Sequence, residues 1–157
     1  MKKQVLIEES EARSMHKTAT PEFKKLLETT FGKEFFSTKI TDRIKSYEDA
    51  CEELGISPWT EKDFSTSGLT PDEVTYRKIK TITQALNEGW KADWTDSNQY
   101  KYYPWFRMSS GGFVFYGTSS DYSYAVAGDA SRLCFKSSEL AKYAGEQFLP
   151  LYSDFII

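Results

Sequence analysis

Apolar positions recur at helical spacing up to about residue 90 and alternate with polar ones after Trp94. Thr20-Pro21-Glu22-Phe23 predicts a helix start, with threonine as N-cap, proline at the first helical position and an acid in the first turn. Phe23, Leu26, Leu27 and Phe31 then share one face, and Gly32 predicts the stop. A shorter helix is predicted from about Ser10 through Ala12 and Met15. Ser46, with Asp49 three residues later, opens another that carries Ala50 and Leu54 inward and ends at Gly55. Residues 60–69 are rich in Ser, Thr and Gly and read as a loop. Thr70 and Glu73 flank Pro71 as a capping box. The helix they open has Val74, Ile79, Ile82 and Leu86 as its apolar stripe, Arg77, Lys78 and Lys80 toward solvent, and Gly89 as its end.

Alternation then predicts strands at Tyr100–Met108, Phe113–Tyr116, Tyr122–Ala127 and Arg132–Lys136, separated by turns of Gly, Ser and Asp. Pro104 restricts the first of these to a sheet edge or breaks it. Ser137 caps a last helix whose inner face is Leu140, Tyr143, Ala144, Phe148 and Leu151, with Pro150 kinking or ending it. The expected fold is α+β: N-terminal helices, a small antiparallel sheet of three to four strands and a C-terminal helix packed on it. The expected organisation is a single domain over 1–157, its helical part about 1–90 and its sheet with the C-terminal helix about 98–157.

Composition narrows the function classes. A net charge of −3 argues against a general polyanion binder, and 16% aromatics is rich for a chain of 157 residues. Cys51 and Cys134 stand far apart in apolar patterns, outside C-x-x-C or metal-ligand spacing, and are expected to be buried reduced thiols. A reducing, cytoplasmic setting follows. Glu8 and Glu9 interrupt the first apolar run, so no signal peptide or membrane span is expected.

Catalytic signals are sparse. His16 is the only histidine and reads as a solvated side chain. Asp93, Asp96, Asp121 and Asp129 fall in turns without a recognisable ligand spacing, so no metal and no cofactor is expected, and no catalytic residue is assigned. Two constellations point to binding. In Tyr100–Arg107, alternation puts Lys101, Tyr103, Trp105 and Arg107 on one face, where cations interleaved with aromatics suit stacking on bases and neutralising phosphates. The same residues also suit a sheet covered on both faces with cations at its rim. Arg132, Lys136, Ser137 and Ser138 run from a strand into a helix N-terminus, which favours an anion and equally describes an ordinary serine cap.

Several runs occur together: Ala19–Glu28, Phe31–Phe36, Ile40–Ile44, Tyr47–Cys51, Ala85–Trp90, Tyr102–Phe106 and Arg132–Ser137. As a set they resemble a group of uncharacterised proteins carried by gut anaerobic bacteria and their phages or prophages. The resemblance spans most of the chain. It implies a mobile-element setting, with the host-cell cytoplasm as the location if the gene is phage-borne, and carries over no catalytic residue.

The sequence therefore favours a non-enzymatic binding or interaction protein, with a protein partner or self-association and no membrane. A single-stranded nucleic-acid binder using the Lys101/Tyr103/Trp105/Arg107 face is the alternative. A small enzyme with a site of loop acids and the Arg132/Lys136 corner is the third class.

Overall fold

Cap chemistry decides where the helices begin. The computed structural model describes residues 7–37, 39–123 and 132–157, and the chain divides into two compact units, Met1–Arg43 and Ile44–Ile157.

The first unit holds α1 (Glu9–Thr18), α2 (Pro21–Phe31), a 3-10 turn (Glu34–Phe36) and α3 (Ile40–Arg43). Thr20 caps α2 by accepting the Phe23 N–H at 3.4 Å, and Gly32 ends it at φ 88°, a conformation that favours glycine. The predicted apolar face of α2 is only partly covered: Leu27 is buried, whereas Leu26 is 59% exposed. The rings of Phe31, Phe35 and Phe36 gather instead, Phe35 meeting Phe36 edge-on with centroids 4.7 Å apart. His16, expected in solvent, is half-buried. It stacks on Phe36 at 4.1 Å, and its Nε2 lies 3.0 Å from a Glu28 carboxylate oxygen.

The second unit holds α4 (Tyr47–Glu53), α5 (Glu61–Thr66), α6 (Pro71–Leu86), β1 (Lys101–Ser109), β2 (Gly112–Asp121), α7 (Ser138–Gln147) and α8 (Leu149–Ile156). At α4 the Asp49 carboxylate accepts the Ser46 N–H at 2.9 Å, and the Ser46 hydroxyl accepts the Asp49 N–H at 3.1 Å. The same reciprocal cap, Thr60 with Asp63, makes α5 a helix where a loop was expected. Its hydroxyls fold back, Ser65 and Thr66 each donating to the Lys62 carbonyl, and Phe64 is buried against the rings of Tyr47 and Trp59. At α6, Glu73 accepts both the N–H and the hydroxyl of Thr70, at 2.8 and 2.9 Å. Ile79, Ile82 and Leu86 are buried as predicted, and α6 packs on α4 and α8. Lys78 departs from its solvent assignment: it is half-buried, with its ammonium 4.8 Å from the Phe64 ring centre.

β1 and β2 form an antiparallel hairpin with a register shift at Trp105/Phe106, which leaves Tyr116 as the extra residue of a bulge on β2. This makes an α+β fold with a two-stranded antiparallel sheet, and the expected three to four strands are not present among the described residues. The predicted Tyr122–Ala127 strand lies mostly outside them. Arg132–Lys136 contributes a single bridge, Phe135 to Tyr102. The reason is local. On the far side of that bridge the Asn87 side chain donates to the Cys134 carbonyl at 2.8 Å and accepts the Lys136 N–H at 3.0 Å. One asparagine thus stands where a further strand would pair. Ser137 then caps α7, accepting the Leu140 N–H, and the chain turns into a helix.

The predicted last helix breaks at Phe148, and Pro150 sits in the first turn of α8, where a missing N–H costs nothing. α7 packs across both strands. Gly145 permits that approach: a Cβ there would lie 2.6 Å from Phe115 Cδ2 and 2.8 Å from Pro104 Cβ. In a free helix Gly→Ala gains about 1 kcal/mol. Gly145→Ala is expected to lower the melting temperature instead, because overpacking costs about 1–3 kcal/mol. A thermal melt of the variant above that of wild type would refute the contact. No helix among the described residues is long and apolar enough to cross a membrane.

Candidate functional site

The predicted basic-aromatic face does not present its four residues together. Lys101 is fully buried; its ammonium donates to the carbonyls of Asp96 at 3.1 Å and Tyr122 at 2.8 Å and lies 5.3 Å from the Trp94 ring centre. It is a structural cation, unavailable to a phosphate. Tyr103 is half-buried and donates its hydroxyl to Asp121. Trp105 and Arg107 are exposed, and the guanidinium packs 4.9 Å from the ring centre of exposed Tyr116.

The predicted anion corner also disperses. The Ser137 hydroxyl is occupied as the α7 cap, and the Ser138 hydroxyl bonds that of Thr118 at 2.8 Å. Lys136 pairs with Glu88 at 2.7 Å. Arg132 points elsewhere and lines a separate hollow beside the C-terminal end of α6. The turn acids serve their own turns. Asp93 accepts from Thr95, which holds its carboxyl below the usual range, Asp96 accepts the Asn98 N–H, and Asp129 lies outside the described residues. Neither thiol is in a disulfide, both are buried, and burial pushes each above its ordinary pKa. Among the described residues no group of three or more His, Cys, Asp or Glu is placed to hold a metal ion.

What the hairpin does build is a groove. The N–H and C=O of Tyr102 both point away from β2, to Phe135, at 3.0 and 2.7 Å. Strand alternation gives Pro104, Phe106 and Met108 the same direction. Among the described residues no strand pairs with that stretch of the edge. Pro104 fits there because its missing N–H falls on the unpaired side. Beside the edge runs an apolar groove of about 570 Å³, lined by Phe106, Met108, Phe113, Leu133, Phe155 and Ile156 among others. Among the described residues Arg107 is the single charged side chain in its lining.

Comparison with family models, with characterised proteins and with solved structures finds no match. The functional reading therefore rests on the geometry.

Phe106 fixes the floor of the groove. Its ring stacks on Phe113 at 4.9 Å and leans on Tyr152 at 4.8 Å. Tyr152 is buried, which strongly disfavours its phenolate, and the nearby Thr83 hydroxyl only moderates the shift. Neither hydroxyl completes a well-formed hydrogen bond. The rim is open: Met108 is 63% and Ile156 55% exposed. Sequence reasoning identified β1 but missed the groove, because the groove needs α8 beside the strand and α8 was read as the tail of α7.

Proposed function

We propose that the protein is a non-enzymatic binding protein that captures an extended segment of another polypeptide along the open edge of β1. The observation that carries this reading is the coincidence of an unpaired strand edge with an apolar groove. The edge offers the carbonyl of Pro104 and both backbone groups of Phe106 and Met108 to an added strand, and the groove accepts alternate side chains of that strand. Arg107 selects an acidic residue at the segment's flank. The mobile-element setting implied by the resemblance belongs to the same reading. The single-strand nucleic-acid alternative keeps only Trp105 and Arg107 of its four residues exposed.

The test is a selection of displayed peptides on the intact protein. Binders are expected to alternate apolar residues and to carry an acid. Met108→Asp and Ile156→Asp, both at exposed positions, are expected to weaken a selected peptide at least about tenfold, the loss of two buried apolar contacts. Hydrogen exchange at the Phe106 and Met108 amides is expected to slow on binding. Peptides that bind without protecting those amides sink the strand-addition reading. Dimerisation that Met108→Asp abolishes would replace the foreign segment with a second copy of the chain.

A further inference from the structure

A second hollow, of about 520 Å³, shares no lining residue with the groove among the described residues. Lys80, Lys91 and Arg132 line it together with Trp90 and Trp94, and among the described residues no acidic one does. Its volume falls within the roughly 300–1,000 Å³ of small-molecule sites.

Two features set it apart from an ordinary surface depression. First, three cations converge on one cavity in a chain of net charge −3. Other lysines here meet acids, Lys136 with Glu88, Lys78 with Glu61 and Lys142 with Glu146. Among the described residues Lys80, Lys91 and Arg132 form no ion pair. Like charges held together without a counter-charge repel, so an anion placed among them gains affinity. Secondly, Trp94 is held in place by the buried Lys101 ammonium, which the Asp96 and Tyr122 carbonyls fix in turn.

From this juxtaposition we infer that the hollow binds a small phosphorylated ligand with a planar aromatic part, of the nucleoside monophosphate class. The base stacks on a tryptophan, and the phosphate lies among Lys80, Lys91 and Arg132. Such a ligand is compatible with the peptide groove but does not depend on it.

Calorimetry at low salt on the whole chain, with AMP, GMP, CMP and UMP as probes, tests it. At least one is expected to bind. Its nucleoside and ribose 5-phosphate are each expected to bind about tenfold more weakly, since stacking and charged contacts each carry an increment of that size. Added salt is expected to weaken the nucleotide and leave the nucleoside unaffected. Lys91→Gln/Arg132→Gln changes two exposed residues. It is expected to weaken the nucleotide more than about tenfold while the melting temperature of the free protein holds or rises, because repulsion is relieved. Trp94→Phe is expected to retain binding and Trp94→Ala to lose it. No binding of any of the four at millimolar concentration, or unchanged affinity in the double variant, overturns the inference. So does a single-stranded oligonucleotide that binds more tightly than every mononucleotide and is lost in Trp105→Ala.

Discussion

Lys101→Ala is expected to lower the unfolding free energy by about 3–5 kcal/mol, a large fraction of the stability of a domain this size. The cause is the ammonium's role inside the fold. It donates to two backbone carbonyls from opposite ends of the hairpin region, Asp96 before β1 and Tyr122 after β2, and it faces the Trp94 ring. Removing it leaves both carbonyls without a charged donor, empties the volume of three methylenes and an ammonium at a fully buried site, and frees Trp94. Lys101→Met separates these effects. It keeps most of the stem and none of the donors, so it is expected to cost less than alanine but still about 2–3 kcal/mol. Denaturant unfolding of the three proteins, with equal m-values, measures the series. An alanine variant as stable as wild type would refute the structural assignment and return Lys101 to the list of surface cations.

Lys101 also shows why the site was less legible than the fold. Helix starts are written in local chemistry: Thr20-Pro21, Ser46 with Asp49 and Thr70 with Glu73 name their own positions, and each is used. The α6 stripe is legible for the same reason, since one helix and one period decide it. The face of Lys101 is a different kind of quantity. Alternation groups it with Trp105 and Arg107, but whether a face meets water depends on turns that are distant in sequence. Here the 94–96 turn and Tyr122 close over one end of the face and leave the other open. The loop reading of residues 60–69 failed by weighing Ser and Thr content over the Thr60–Asp63 cap. The strand at Arg132–Lys136 failed because a side chain, Asn87, supplied the bonds that a neighbouring strand would have made.

Asn87 is correspondingly expensive to lose. Asn87→Ala is expected to cost about 2–4 kcal/mol, since it takes the amide's bonds from the Cys134 carbonyl and the Lys136 N–H together, each bond lost at such a group costing about 1–3 kcal/mol, and water reaches the second more easily than the first. The residue is 5% exposed, just past the end of α6, so its amide ties that helix to the 134–136 segment and through Phe135 to β1. Asn87→Asp tests the direction of each bond. An ionised carboxylate still accepts the Lys136 N–H but turns an acceptor toward the Cys134 carbonyl, so burial and that carbonyl raise its pKa above the unfolded carboxyl value of about 3.9. Protonated, it donates as the amide did. A raised folded pKa contributes stability below the unfolded pKa and loses it as pH rises. The aspartate variant is therefore expected to approach wild type near pH 4 and to fall progressively below it toward pH 7, whereas the alanine deficit stays level over that range. Unfolding curves for the three proteins at both pH values decide the matter. A pH-independent deficit in Asn87→Asp would mean that the Cys134 carbonyl does not depend on the amide for its bond.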